Sequence, residues 1–391
     1  MSREMTAMVL RTGHLVRLGF IAFGMFIASA GRTFAADPSC APPAAMSDGL
    51  AVGNAEAEGF DGSALCTLLQ RVTIEPNNLH SLLVLRHGKL VAELYKPGVD
   101  RTLYSLWGTR RRFDAETLHD MRSTSKSMVG LLYGILLARG EVPPLETSVA
   151  SLYPDEQISE ADQKRKIRIR DLLTMSLGLA WEEASPVHQL ASMSDELGLL
   201  WRAEPFPYVF SFPVTEPPGT VFTYSGGATA LLADIMTRQT GKDLRALAGD
   251  LLFEPLGITD WQWSATLRGQ PFAAAGLRLK PRDLMKIGVM LTDRGRWQGH
   301  QIVPAAWIAD ATRSQISAVP RDGYGYQFWT RTLSWHGKSL EAAATVGNGG
   351  QSMVMVPGLD LVVVTTAGNY GQIEGLDLVR GIAEQVAGTV Q

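Results

Sequence analysis

Ser123 and Lys126 lie three residues apart at the start of a long apolar segment. Residues three apart on a helix share one face, so the lysine amine can reach the serine hydroxyl. A serine hydroxyl is a poor nucleophile until a base takes its proton, and a lysine whose pKa desolvation has lowered is one such base. A helix N-terminus also supplies backbone N–H groups for a developing oxyanion. The pair therefore predicts nucleophilic acyl chemistry, with a helix-capping serine beside a solvated lysine as the alternative.

Two further segments carry residues suited to the same chemistry. Tyr224 stands on a glycine-flanked turn before a helix, where a phenol next to a lysine cation can relay protons. The segment Gly347–Gln351 opens a strand, and its glycines let a substrate approach the backbone closely. Its N–H groups are candidates to complete an oxyanion hole. A core tyrosine and a plain turn remain the alternatives for these two segments.

Hydrophobic periodicity predicts the elements that would position these residues. His80–Tyr95 alternates apolar and polar residues around a His87-Gly88-Lys89 turn, which predicts a β-hairpin. Arg122–Arg139 is apolar on almost every face after Lys126, which is typical of a helix buried between two layers.

The rest of the chain separates helices from strands. Residues 149–254 read as helical and loop-rich, whereas residues 352–357 and 359–367 read as strands and residues 376–386 as a last helix. Strands at both ends and helices between them predict an α+β fold with an antiparallel sheet flanked by helices. An inserted all-α domain would then form a cleft for the active site against the sheet. The predicted domain spans residues 37–390, with its α/β part at about 60–148 and 265–390 and its helical insert at about 149–264.

Residues 1–36 are expected to be a secretory signal peptide. Three arginines precede an apolar run, Leu18–Ala30, that is too short to span a bilayer comfortably, and small residues suited to cleavage follow it. An uncleaved anchor helix is the alternative, and the sequence does not choose between the cleavage sites. Cleavage predicts a periplasmic or secreted protein with no stable membrane anchor. In that oxidising compartment Cys40 and Cys66 would form a disulfide, with two free thiols as the alternative.

Composition excludes several classes of function. The net charge is −3, and it becomes −6 once residues 1–36 are removed with four arginines and one glutamate. A basic footprint for nucleic acid is therefore absent. The seven histidines are scattered without HExxH or CxxC spacing, so the sequence predicts neither a metal site nor a cofactor.

Several motifs occur together in a recognisable order. They are Ser123-x-x-Lys126, Ile169–Leu179, Pro218-Gly219-Thr220 before Tyr224-Ser225, Gly276–Leu279 before Pro281–Leu284, Ile302–Pro304 with Trp307, Tyr324–Tyr326, and Gly349–Gln351. In this order and spacing the chain resembles the serine β-lactamase-related (penicillin-recognising) superfamily over nearly its whole mature length. The branch it resembles most contains class C β-lactamases, family VIII esterases and 6-aminohexanoate-dimer hydrolases.

The resemblance implies an acyl-enzyme mechanism on a small ester or amide. Ser123 would attack, Lys126 and Tyr224 would handle its proton, and the N–H groups of Ser123 and Asn348 would hold the oxyanion. It leaves open whether Lys126 or Tyr224 is the general base. The implied substrate-binding and oxyanion-binding residues are Asn348, Gly349, Gly350, Gln351 and Trp181.

Two departures from the family pattern bear on the substrate. Gly226 replaces the asparagine of the usual Tyr-x-Asn, and Gly347-Asn348-Gly349 lacks the lysine of the usual Lys-Thr-Gly. Ser194-Asp195-Glu196 is a near miss to Ser-Asp-Asn and is interpreted as a helix cap. These gaps favour an ester or small amide over a β-lactam. A β-lactamase, a D-alanyl-D-alanine peptidase and a catalytically silent envelope-binding homologue remain alternatives; the natural substrate and the oligomeric state stay open.

Overall fold

The computed structural model describes residues 40, 42–183, 194–319 and 322–391. The predicted signal peptide at residues 1–36 lies outside these ranges. Over the described part of the chain, no helix combines the length and the apolar character needed to cross a membrane.

Strands and helices are distributed as follows. The strands are β1 (Ala51–Val52), β2 (Leu79–Arg86), β3 (Lys89–Tyr95), β4 (Gly98–Asp100), β5 (Thr109–Arg111), β6 (His119–Asp120), β7 (Gln262–Trp263), β8 (Leu277–Leu279), β9 (Arg296–Trp297), β10 (His300–Gln301), β11 (Ile316–Val319), β12 (Asp322–Tyr324), β13 (Trp329–Trp335), β14 (Lys338–Gly347), β15 (Gln351–Val356) and β16 (Leu361–Ala367). The α-helices are α1 (Gly62–Ile74), α2 (Thr124–Ala138), α3 (Ala161–Lys164), α4 (Ile169–Leu173), α5 (Asp195–Gly198), α6 (Pro205–Val209), α7 (Gly226–Thr240), α8 (Leu244–Ala248), α9 (Pro281–Thr292), α10 (Ala305–Ala311) and α11 (Ile373–Gly388).

The central sheet contains nine strands in the order β1–β3–β2–β16–β15–β14–β13–β12–β11. β1 runs parallel to β3, and the other neighbours are antiparallel. The β2–β3 hairpin turns at His87 and Gly88, whose φ angles of 49° and 72° are left-handed. This is the turn that the sequence predicts, and a glycine at its second position makes the left-handed conformation inexpensive.

Both faces of the sheet are buried, so the side chains on both sides of its strands are apolar. Leu82 and Val84 belong to a core formed with α1 and α11. Leu83 and Leu85 point the opposite way, into a core shared with α2 and the helical region. Because successive strand residues face opposite sides, a sheet covered by helices on both faces carries long apolar runs. The α+β class predicted from the sequence is confirmed.

Helix α2 lies against the sheet on one side and α7 on the other. Close packing depends on its glycines, because a Cβ on residue 134 would lie 2.3 Å from the Trp307 ring and one on residue 130 would lie 2.9 Å from Tyr326 O. Within the region predicted to be helical and loop-rich, α4 is a short helix, because it ends at Leu173 and Met175 turns left-handed with φ 55°.

Cys40 and Cys66 are joined by a disulfide, with their Cα atoms 5.4 Å apart. The bond links the segment before β1 to α1 and closes a loop with a sequence separation of 26.

Removing this bond by Cys66→Ala is expected to lower the free energy of unfolding by about 3 kcal/mol, because the cross-link restricts the unfolded chain. Denaturant titration of the variant and the wild type measures the change. Intact-mass analysis after alkylation, with and without prior reduction, provides the control. Two thiols alkylated before reduction in exported protein would contradict the bridge.

Candidate active site

Ser123 lies at the N-terminus of α2, where β6 passes into the helix through Met121 and Arg122. Arg122 has a left-handed φ of 50°, which turns the chain between strand and helix. Gly347, at the end of β14, packs against this turn so closely that a Cβ there would lie 2.3 Å from Met121 O. The fold therefore brings residues 347 and 348 next to the half-buried Ser123.

The Lys126 side chain is 1% exposed and reaches the Ser123 hydroxyl. Its ammonium donates to Ser123 Oγ at 3.2 Å and to the Ala274 carbonyl oxygen at 3.1 Å. It also donates to Glu183 Oε1 at 3.2 Å and to Glu196 Oε1 at 3.0 Å. A buried ammonium is thus fully paired, since it lies beside two carboxylates and two neutral oxygens.

This environment reverses one expectation from the sequence. Burial alone lowers the pKa of Lys126, but the charges of Glu183 and Glu196 outweigh it and hold that pKa well above its usual range. Desolvation without counter-ions, which the sequence suggested, would have given a neutral amine. The two carboxylates therefore favour the charged form of Lys126 beside the Ser123 hydroxyl.

Glu183 is held by three donors from different parts of the chain. Its Oε1 accepts from Lys126, and its Oε2 accepts from the Trp181 indole at 3.0 Å and from the Gly226 backbone N–H. Burial, and next the charge of Glu196, raise the pKa of Glu183 to about 7. The group at this position therefore changes charge near neutral pH.

Glu183→Gln is expected to change how stability depends on pH. Between about pH 4.5 and pH 7 the folded wild type keeps a proton on Glu183 that the unfolded chain has lost, so stability falls as pH rises through this window. The glutamine variant lacks this titration and should show a flatter profile. Free energies of unfolding measured from pH 4.5 to 8 for both proteins check the result. If the free energies of unfolding of the two proteins depend on pH in the same way, the raised pKa of Glu183 is contradicted.

Glu196 takes the space that an asparagine side chain at position 226 would need. A Cβ on residue 226 would lie 2.8 Å from Glu196 Oε1 and 3.1 Å from Ala274 Cβ. The interpretation of Ser194-Asp195-Glu196 as a helix cap needs correction here. Ser194 precedes α5 but its side chain makes no capping hydrogen bond, whereas Glu196 binds Lys126.

Tyr224 lies across the ammonium from Ser123. Lys126 Nζ is 4.8 Å from the centroid of the Tyr224 ring, and the nearby Ser123 hydroxyl lowers the pKa of the phenol. Burial raises the pKa of Tyr224, and the Lys126 charge offsets this only in part. The phenol is therefore protonated in the resting site and can pass a proton on only while it receives another.

Aromatic rings form one wall beside Tyr224. The Trp329 ring stacks on Tyr224 with centroids 5.8 Å apart, and Phe222 and Tyr324 pack at 5.6 Å and 5.2 Å from Trp329. Such a wall suits apolar parts of a small molecule.

Residues 347–351 form a tight loop beside Ser123. Gly349 and Gly350 have φ angles of 106° and 103°, which only glycine adopts easily. The Asn348 side chain is exposed and its Oδ1 accepts from the Gly371 N–H at 2.8 Å. Gln351 is fully buried, and its side chain donates to Asn348 O at 3.0 Å. The loop thus places backbone groups near Ser123, whereas the Gln351 side chain braces the loop from behind.

Trp181 is placed in the core rather than on an open wall. Its side chain is 6% exposed and packs on Phe212 and Tyr208, with centroids 5.2 Å and 5.9 Å away. Through its indole N–H it fixes Glu183, so it contacts the site indirectly.

Sequence reasoning missed Glu183, Glu196 and Trp329. The one available signal was Gly226, because a small residue where the family pattern has asparagine leaves space that another side chain must fill. The sequence did not show which side chain that would be.

Comparisons with known proteins agree on one family. The family model described as Beta-lactamase matches residues 80–380. The 6-aminohexanoate-dimer hydrolase of Paenarthrobacter ureafaciens is 25% identical over 306 residues, which cover 74% of this chain and 73% of that protein. Esterase EstB of Burkholderia gladioli is 29% identical over 184 residues, covering 46% of this chain and 45% of the esterase.

A solved structure shows the same fold. The β-lactamase/D-alanine carboxypeptidase of Pseudomonas syringae has a TM-score of 0.62 and 18% identity, covering 84% of this chain and 99% of that one. At this identity the likeness concerns the architecture alone.

Proposed function

The chain belongs to the beta-lactamase family of serine hydrolases, and on that premise we propose that it is an exported enzyme that cleaves a small ester or amide through an acyl-enzyme intermediate. One observation carries the proposal. The buried Lys126 ammonium lies 3.2 Å from Ser123 Oγ and 4.8 Å from the Tyr224 ring centroid, so nucleophile and phenol share one cation.

In the proposed acylation, Ser123 Oγ attacks the substrate carbonyl carbon. The Ser123 proton passes to the Tyr224 oxygen while the Tyr224 proton passes to the leaving oxygen or nitrogen, whose bond to the carbonyl carbon breaks. The Lys126 cation stabilises negative charge on the phenol during this transfer. Tyr224 is thus the relay, and Lys126 acts by its charge.

The oxyanion would be held by the N–H groups of Ser123 and Asn348. Among the described hydrogen bonds, neither group donates to a protein acceptor, so both are available to substrate. In deacylation, water attacks the acyl carbon and passes a proton through Tyr224 to the departing Ser123 oxygen. Free acid leaves and the hydroxyl is restored.

The surroundings of Ser123 support an ester or a small amide. Glu183 and Glu196 occupy the region around Gly226, and residues 347–349 offer no lysine to bind a substrate carboxylate. Two carboxylates near the site disfavour an anionic β-lactam. The named activities of the two curated relatives, hydrolysis of a 6-aminohexanoate dimer and of esters, fit this choice.

We expect p-nitrophenyl butyrate to be hydrolysed with a kcat/KM at least a hundredfold above that for nitrocefin, because orientation of a bound substrate is worth several kcal/mol of barrier. Both rates are measured on one preparation, and a panel of short linear amides separates amidase from esterase activity. Nitrocefin turned over faster than the ester would overturn this reading of Gly226 and Asn348.

A catalytically silent homologue is the competing possibility. A fluorophosphonate probe should label Ser123 stoichiometrically if the nucleophile is active, and peptide mapping locates the adduct. Absence of labelling together with absence of turnover would favour the silent homologue. Export is supported by the apolar residues 18–30 and by the Cys40–Cys66 bond.

A further inference from the structure

A second group of titratable side chains lies outside the site just described. His80 of β2, Asp100 of β4 and His119 of β6 are buried together, with potential ligand atoms all within 4.8 Å of one another. His80 Nδ1 lies 2.8 Å from His119 Nε2, and His119 Nε2 lies 3.9 Å from Asp100 Oδ1.

The outer nitrogen of each histidine faces an oxygen acceptor. His119 Nδ1 lies 3.1 Å from the Asp120 carbonyl oxygen, which requires an N–H at Nδ1. His80 Nε2 lies 3.3 Å from Asn78 Oδ1. The Asn78 oxygen is identified by the Val99 N–H, which donates to it at 2.8 Å, while the Asn78 amide nitrogen donates to Val99 O. This contact is satisfied when His80 Nε2 carries its hydrogen.

These assignments leave two lone pairs facing each other. A neutral imidazole has one N–H, so with both outer nitrogens protonated, His80 Nδ1 and His119 Nε2 are both bare and can both bind a cation. Two bare nitrogens repel unless a cation lies between them. Histidines that donate their outer N–H to a carbonyl or amide oxygen are arranged as metal ligands are, because that bond fixes the tautomer and aims the other nitrogen.

Asp100 adds a negative charge to the same place. Its Oδ1 accepts from the Tyr370 hydroxyl at 2.7 Å and from the Arg101 N–H at 2.9 Å, which orients the carboxylate. The nearest described cation, Arg111, is 3.9 Å from Oδ2 and half exposed. Two imidazoles and one carboxylate form a donor set typical of zinc.

The surrounding backbone is shaped to hold the His80 ring. A Cβ on residue 98 would lie 2.5 Å from His80 Cδ2, and one on residue 368 would lie 2.8 Å from His80 Cε1. Phe113 stacks on the ring with centroids 3.9 Å apart. The group is therefore rigid, and His119 lies four residues before Ser123 on the strand that leads into α2.

We propose that His80, Asp100 and His119 bind one zinc ion that fixes the strand leading to Ser123. Zinc bonds of about 2.0–2.1 Å to two imidazoles in tetrahedral geometry separate the nitrogens by about 3.4 Å, so the two rings move apart by roughly half an ångström on binding. Three protein ligands leave the fourth tetrahedral position to a water molecule. Because the three ligands are buried, the ion would act by holding the strand rather than by meeting substrate.

The test uses disulfide-intact wild-type protein, since a buried site loads most directly during folding. The protein is unfolded in guanidinium with EDTA, freed of chelator, and refolded with or without one equivalent of zinc chloride. After gel filtration, about one zinc per chain should remain and the thermal midpoint should rise by several degrees. Cobalt(II) in place of zinc should give the visible absorption bands of a four-coordinate site.

Matched variants locate the metal. His119→Gln and Asp100→Asn should each retain at least tenfold less zinc, whereas His300→Gln, at an exposed histidine of β10, should retain as much as the wild type. Wild-type protein that refolds but retains no zinc would overturn the proposal, whatever the variants do. Equal retention by a folded His119→Gln protein would overturn it as well.

Discussion

Replacing Ser123 by alanine is expected to reduce turnover of a reactive ester by about ten-thousand-fold to a million-fold. In the proposed mechanism the hydroxyl oxygen forms the covalent bond to the substrate, and alanine offers no substitute. Stability should change little, because the Ser123 side chain makes no capping hydrogen bond and is only half-buried. The measurement is kcat/KM for p-nitrophenyl butyrate, with circular dichroism and thermal midpoint to establish that the fold is kept.

Ser125→Ala is the matched control for this result. Ser125 lies on the same helix turn, but its hydroxyl is directed to the Arg122 carbonyl oxygen and accepts from the Leu277 N–H at 3.1 Å. This variant should lose some stability and retain far more activity than Ser123→Ala. Fluorophosphonate should still label it, whereas Ser123→Ala should stay unlabelled. Retained turnover in a clean Ser123→Ala preparation would assign the nucleophile to another residue.

Local spacing explains why part of the site was predictable. Ser123 and Lys126 share a helix face, and Tyr224 precedes a helix on a glycine-flanked turn, so both features are visible over a few residues. The β2–β3 hairpin and the burial of α2 were predictable for the same reason, because each depends on a short periodic pattern.

The charge state of Lys126 was not predictable in this way. Glu183 and Glu196 stand 57 and 70 residues further along the chain, and only the tertiary fold brings them to the ammonium. From the sequence alone, a lysine in an apolar run suggests a lowered pKa. In the fold, the charges of two neighbouring carboxylates raise the pKa of Lys126 instead.

The histidine group shows the same limit. His80, Asp100 and His119 lie in three short strands, and no two of them have the spacing of a local metal motif. The prediction of no metal rests on the absence of such motifs, whereas the zinc site proposed above would depend on ligands from separate strands. A motif search detects ligands that share one helix or turn, and it cannot detect ligands that separate strands bring together.

If the proposed mechanism holds, Lys126→Ala is expected to reduce both turnover and stability. Without the ammonium, the Glu183 and Glu196 carboxylates lose the counter-ion that they share, and breaking a buried ion pair from one side typically costs about 3–5 kcal/mol. Tyr224→Phe should also reduce turnover strongly, but it keeps the ion cluster and should remain close to the wild type in stability. Denaturant titration and ester hydrolysis of each variant separate the two effects.

The double variant Lys126→Ala/Tyr224→Phe decides whether the two residues form one proton-transfer unit. If Lys126 acts only by stabilising charge on the Tyr224 oxygen, the double variant should be little slower than the slower single variant, because members of one unit are non-additive. Multiplying losses would mean that the lysine and the phenol act independently. The control is the triple variant Lys126→Ala/Glu183→Gln/Glu196→Gln. Its neutral amides remove the charge repulsion between the two carboxylates. The triple variant should regain stability without regaining turnover. If it recovers both, Lys126 serves only as a structural counter-ion to the two carboxylates.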